Sequence, residues 1–309
     1  MSDDPFSAVL ALVDARAVCA GGFTAGGAWA IAFPPPDQLK FFVIARGHCW
    51  LAVEGLGPPF RMGEDDLLML SAPRAFVASS DPALPPRPAR EVFGGATSGI
   101  VALGGGDEML FLGGHVDLAA GCGALLLEGL PDVIHIDGSA AEAPHLKSLV
   151  TQLAEECGTS REGAGFACTA LAQLIFLQIL RVHLAREGAL APGLLRVLAD
   201  QRLAPALRLM HAEPARSWHL PDLASAAAMS RTAFATRFKA LAGIGPLAYL
   251  AQWRLRLAQR WLAAGAMPIG QIAQATGFAS DAAFSNAFKR MTGESPSRFR
   301  LRSQGAGGE

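Results

Sequence analysis

The chain has 309 residues, 51% hydrophobic and 17% charged, with a net charge of −1. Its length suits about two domains, and its apolar content excludes an intrinsically disordered chain. The near-neutral average hides a division: residues 1–195 hold 11 Lys and Arg against 21 Asp and Glu, whereas residues 196–302 hold 15 against 5. A basic back half points to nucleic acid, or less often to a membrane surface.

The N-terminus, Met1-Ser2-Asp3-Asp4, has no basic stretch followed by an apolar one, so no signal peptide is expected. Up to about residue 137 the apolar runs are short: Leu39 to Ile44, Cys49 to Val53, Leu67 to Leu70, Phe76 to Ala78 and Ile100 to Leu103. Pro- and Gly-rich clusters separate them, which predicts many short strands in a sandwich or barrel. Gly104-Gly105-Gly106-Asp107 reads as a loop, because no helix follows it as a phosphate loop requires. Five cysteines (Cys19, Cys49, Cys122, Cys157, Cys168) show no CxxC spacing, against a disulfide framework or zinc ribbon and in favour of a reducing cytoplasm.

From Ala140 the periodicity becomes helical. The stripe Leu171, Leu174, Ile175, Gln178, Ile179 and Val182 suits either a core or a partner helix. The most apolar stretch, Phe166 to Leu180, falls short of the roughly 20 residues needed to cross a bilayer. Ala189-Leu190-Ala191-Pro192-Gly193 reads as a linker.

Everything beyond reads as helix: about Asp200 to His211, Pro221 to Ala227, Arg231 to Leu241, Pro246 to Ala264, Pro268 to Thr276, Asp281 to Met291 and Ser297 to Arg302. Ser230 and Ser280 are N-caps 50 residues apart. The helix after each carries phenylalanines at i and i+4, Phe234 with Phe238 and Phe284 with Phe288, and leaves small polar and basic residues elsewhere. Short helix, tight turn and second helix, twice over, is a tandem helix-turn-helix layout.

The stretches Met229-Ser230-Arg231-Thr232-Ala233-Phe234-Ala235-Thr236-Arg237-Phe238-Lys239, Gly277-Phe278-Ala279-Ser280, Ala283-Phe284-Ser285-Asn286-Ala287-Phe288-Lys289-Arg290 and Gly293-Glu294-Ser295-Pro296 resemble the AraC/XylS family of bacterial transcription regulators. The resemblance covers about Asp200 to Arg302 and implies sequence-specific binding with both recognition helices in the major groove. Carried over by position, the first reading face is Arg231, Thr232, Ala235 and Thr236; the second is Asp281, Ala282, Ser285 and Asn286, with Ser280 as its cap. Relatives often have arginine where this chain has Asn286, and Asn favours adenine where Arg favours guanine. Lys239, Lys289 and Arg290, near helix ends, are phosphate partners.

Phe41 to Leu51 and Gly63 to Arg74, and more loosely Leu130 to Ile136, resemble the cupin-type sensor domain that precedes the DNA-binding half in one branch of that family. The expected fold is α+β and multidomain: a cupin-like β-barrel over 1–137, a helical bridge with a possible dimer surface over 138–190, and a DNA-binding domain over 196–303. Relatives place metal-binding histidines near positions 42 and 76, where this chain has Phe42 and Phe76, so no metal, cofactor or catalytic residue is expected. Those phenylalanines line either an effector pocket or a packed core. Redox sensing by a cysteine remains a separate reading, since it needs an exposed, low-pKa thiolate. The expected partners are double-stranded promoter DNA, a small-molecule effector, a second copy of the chain and RNA polymerase, with no membrane. The competing reading is a cupin-like enzyme or ligand carrier with a basic helical module.

Overall fold

The computed structural model describes residues 4–94, 99–119, 122–140, 144–159, 161–186, 192–265 and 267–305. It divides into two compact units, neither continuous in sequence: residues 16–117 with 131–186, and residues 1–15 with 118–130 and 187–309. This departs from the linear division at 137, 190 and 196. Most of the expected linker, residues 189–191, lies outside the described residues.

The first unit holds eleven described strands: β1 (Arg16–Ala25), β2 (Ala30–Phe33), β3 (Leu39–Arg46), β4 (Cys49–Val53), β5 (Phe60–Met62), β6 (Leu67–Leu70), β7 (Phe76–Ser79), β8 (Arg87–Pro88), β9 (Ile100–Leu103), β10 (Met109–Asp117) and β11 (Val133–Ile136). They form a six-stranded sheet, β11-β6-β3-β10-β1-β9, and a five-stranded sheet, β5-β4-β7-β2-β8. Pairing is antiparallel except for β1 with β9 and β2 with β8. Neither strand order returns to its start, so the expected barrel is not closed; two sheets share one core instead. Phe23, Phe42 and Leu68 from one sheet pack with Ile31, Leu51 and Phe76 from the other.

In the larger sheet the neighbouring strands β1 and β10 bring glycines into their pairing: Gly22 pairs with Leu112, Gly21 with Gly113, and Cys19 with Gly114. A Cβ at Gly22 would lie 2.1 Å from the Phe111 carbonyl oxygen, and one at Gly114 2.4 Å from the Phe41 ring. Glycine is therefore needed where backbone and ring approach closely, against its poor strand propensity. A short helix, α2 (Ala89–Phe93), packs Ala89, Val92 and Phe93 against this core.

Two helices complete this unit, α4 (Pro144–Cys157) and α5 (Ala164–Ala185). Helix α5 buries Leu171, Ile175, Phe176, Ile179, Leu180 and Val182, which gives most of the predicted stripe to the core and leaves Leu174 exposed. At 22 residues it is longer than its apolar centre suggested; by length and composition alone it could cross a membrane.

The second unit gathers α1 (Pro5–Leu12), α3 (Ala124–Leu127), α6 (Leu194–Leu198), α7 (Ala204–Ala212), α8 (Leu220–Ala226), α9 (Arg231–Ala242), α10 (Pro246–Ala264), α11 (Ile269–Ala275), α12 (Asp281–Thr292) and α13 (Pro296–Gly305). Helix α1 belongs here because Val9 and Leu12 bury against Trp253 of α10. That apolar contact decides the membership of a segment nearly 250 residues away in sequence, which a linear reading has no means of seeing.

Candidate nucleic-acid interface

Helix α10 is the spine of the second unit. Its first half gives Tyr249 and Leu250 to a core with Leu207, Met210, Leu223, Phe234 and Phe238. Its second half gives Leu255, Ala258 and Leu262 to another core with Ile272, Phe284, Phe288 and Phe299. No Gly or Pro interrupts it after Pro246, and its 19 residues span about 28 Å. Each core carries one helix-turn-helix, so one continuous helix sets the spacing of both.

The two recognition helices are built alike. Ser230 Oγ accepts from the Ala233 N–H at 3.3 Å, and Ser280 Oγ accepts from the Ala283 N–H at 3.2 Å. Gly243 and Gly293 end the helices in the left-handed region (φ 77° and 83°), each donating its N–H to the carbonyl of Lys239 or Lys289. Side-chain exposure over 231–240 and 281–290 matches residue for residue: the first three positions, the sixth and the last two are exposed, the fifth and seventh half-buried, the fourth and eighth buried. Local capping and the i, i+4 phenylalanine pair therefore turn the same face outward twice.

The turns differ. Ala228 holds φ +50° where the second motif has Gly277 at φ +74°. A Cβ at Gly277 would sit 2.7 Å from the Ala215 carbonyl oxygen, so that glycine answers both space and conformation. Ala228 carries a left-handed backbone at a cost of about 1–2 kcal/mol that a glycine avoids.

Arg231, Thr232, Thr236, Lys239, Ser280, Asp281, Ala282, Asn286, Lys289 and Arg290 are all exposed, and Ala235 and Ser285 are half-buried at equivalent positions. The twelve residues singled out from sequence thus fall on the outward sides of α9 and α12. Ala233, Ala240 and Ala283 share that exposure and escaped sequence reading, since alanine gives no chemical signal. Asp281 opens α12, where a carboxylate suits the positive end of the helix.

Arg237 has another use. Its Nε donates to Asp200 Oδ2 at 2.9 Å, and its Nη2 pairs with the same oxygen. Asp200 Oδ1 accepts from the N–H groups of Arg202 and Leu203, each at 3.0 Å, which caps the turn into α7. This ion pair therefore fastens the first recognition helix to α7. The predicted start of a helix at Asp200 is in fact this capped turn, and α7 begins at Ala204.

In the sheet unit, Phe42 and Phe76 lie in the aromatic core, 0% and 2% exposed. Their ring centroids are 5.0 Å apart, and Phe33 and Phe111 stack on them at 4.5 and 5.0 Å. An opening of about 200 Å³ is lined by Phe23, Phe33, Phe93, Phe111 and Lys40, with Phe42 and Phe76 behind that layer. His115 lies 3.8 Å from Asp117, and His135 3.6 Å from Asp66. Among the described residues no three His, Cys, Asp or Glu side chains converge as metal ligands.

Two helix-turn-helix motifs on one rigid helix, in a basic body with matched exposed faces, define a tandem DNA-binding module. A cupin family model matches residues 4–185 and a helix-turn-helix domain model matches residues 223–302. The chain is 38% identical over 297 residues to an AraC-like transcription regulator of Streptomyces antibioticus, covering 96% of this chain and 98% of that one. It is 37% identical to one of Streptomyces lividans over the same shares. Among solved structures it is similar to the DNA-binding domain of AdpA in complex with a target DNA: 29% identity, 33% of this chain, 95% of that chain, TM-score 0.31. The protein belongs to the AraC-like family of DNA-binding transcription regulators, with a cupin-type N-terminal region.

Proposed function

We propose that α9 and α12 read one promoter sequence in successive major-groove segments, and that the cupin-type region pairs two copies and responds to a small effector. The observation that carries the reading is the repeated exposure pattern on two helices held by one spine. Arg231, Thr232, Ala235 and Thr236 face the first segment; Ser280, Asp281, Ala282, Ser285 and Asn286 face the second. Asn286 suits adenine, and Ala235 and Ala282 suit thymine methyl groups. Lys239, Lys289 and Arg290 neutralise phosphates. The protein works in the cytoplasm, where promoter DNA and RNA polymerase are, and has no catalytic role. Phe166, 84% exposed, and Leu174 lie on the outer side of α5 and offer the surface for a second copy. The opening beside Phe33 and Phe111 offers a place for an apolar effector.

Gel-shift titration of the full chain on its selected genomic site tests the DNA reading. Asn286→Ala is expected to cost about 1–3 kcal/mol at that site and to relax preference at one base pair. Lys289→Ala is expected to weaken every sequence alike and to reduce the salt slope by about 0.9. Equal losses on cognate and scrambled DNA for Asn286→Ala would remove it from the readers.

A further inference from the structure

We propose that Cys19, Cys157 and Cys168 form an oxidation site at which a hydroperoxide converts Cys19 and Cys157 to a disulfide. The site goes beyond the DNA-reading role, lies in the sheet unit and is tested by sulfur chemistry alone.

The geometry is long-range. Cys19 sits on β1 at the register shift before Gly21, Cys157 ends α4, and Cys168 lies in the second turn of α5. The Cys19 and Cys157 Sγ atoms are 3.5 Å apart, and those of Cys157 and Cys168 are 3.4 Å apart. A disulfide needs about 2.05 Å, so closing either gap takes about 1.5 Å of movement. All three thiols are half-buried, open to a small oxidant, whereas Cys49 and Cys122 are buried.

The electrostatics sort the roles. A hydrogen bond from the Cys157 thiol holds the Cys19 pKa down to about 7, against burial and with help from the Gly21 backbone. Cys19 is then the more readily ionised thiol of the pair, and the thiolate is the nucleophilic form. Cys157 is pushed the other way by its hydrogen bond to Cys19, by burial and by its two sulfur neighbours, so it stays a thiol. Burial pushes Cys49 up to about 12 and also raises Cys122, which keeps both inert.

In the first step the Cys19 thiolate attacks a peroxide oxygen and the O–O bond breaks. Cys19 becomes a sulfenic acid, oxidised by two electrons, and the departing hydroxide or alkoxide takes the Cys157 proton. In the second step the Cys157 thiolate attacks the Cys19 sulfur, the S–S bond forms, and hydroxide leaves and is protonated to water. The net change is two thiols plus a hydroperoxide to a disulfide, an alcohol or water, and water. Cys168 is placed to exchange onto Cys157. The Cys19–Cys157 link closes a loop of 138 residues against 11 for Cys157–Cys168, and the longer loop is the more stabilising closure.

The test treats the reduced full-length protein with hydrogen peroxide at pH 7, blocks free thiols and maps peptides without reduction. The expected product is a Cys19–Cys157 cross-linked peptide and an intact mass lower by two hydrogens. In Cys157→Ser, dimedone is expected to label Cys19, and in Cys19→Ser the rate of thiol loss should fall roughly tenfold. Cys19 left reduced, or label spread evenly over the five cysteines, overturns the proposal. The wild-type peptide map decides the question even if a variant fails to fold.

Discussion

Replacing Phe284 with alanine is expected to destabilise the second helix-turn-helix by about 3–5 kcal/mol, the cost of emptying a fully buried aromatic site. Phe284 is 0% exposed and packs edge-on to Phe278 at 5.4 Å and against Phe288 at 5.6 Å, in the core that Leu255, Ala258 and Leu262 share from α10. Such a loss is comparable to the stability of a small domain, about 5–15 kcal/mol. Its functional consequence follows from the spine. With α12 unfolded, one of the two proposed readers is lost, so site-specific affinity should fall steeply while the weaker, salt-sensitive phosphate binding persists. Urea unfolding followed by tryptophan fluorescence, with gel shifts on cognate and scrambled DNA, checks both parts. A stability change below about 1 kcal/mol, within the range of surface substitutions, would mean that Phe284 is not the keystone of that core.

The second large effect is a pH dependence centred on His211. Its ring stacks on Trp253 at 3.7 Å between centroids, its Nε2 lies 2.7 Å from the Tyr249 hydroxyl, and its Nδ1 has no hydrogen-bond partner. Burial lowers its pKa to about 3. The unfolded chain takes up a proton below about 6.5, while the folded chain does not until about pH 3. Stability from the neutral ring is therefore complete above 6.5 and is lost as pH falls through that window. The slope is at most about 1.4 kcal/mol per pH unit, and on the order of 2–4 kcal/mol is lost in total. His211→Phe keeps the stacking and removes the titration. Urea unfolding of both proteins from pH 4 to 8 should show a steeper acid limb for the wild type, and parallel limbs would refute the assignment.

Much of the helical half is readable residue by residue. Helix α10 runs from Pro246 to Ala264 as the stripe Leu250, Trp253, Leu257 and Trp261 indicates, and α9 and α12 begin at Arg231 and Asp281 beneath their serine caps. These signals act within four residues, so a single chain displays them. Strands β4, β6 and β9 coincide with compact apolar runs. Strands β1 and β10 escaped because their glycines dilute the pattern, and those glycines make sense only once Phe41 and the Phe111 carbonyl lie across from them. Helix α1 escaped because eight residues carry too weak a period to stand out.

The sequence alone determined the tandem motif, the charge division and which side chains lie outward on α9 and α12, because capping, helical spacing and charge are local properties. The tertiary structure decided the rest. It left the two sheets unclosed, made Phe42 and Phe76 core residues, tied Arg237 to Asp200 rather than leaving it free for DNA, and brought Cys19 to Cys157 across 138 residues. Each of these depends on which distant surfaces pack together, and a segment's own pattern shows that a face is buried but not which distant segment buries it.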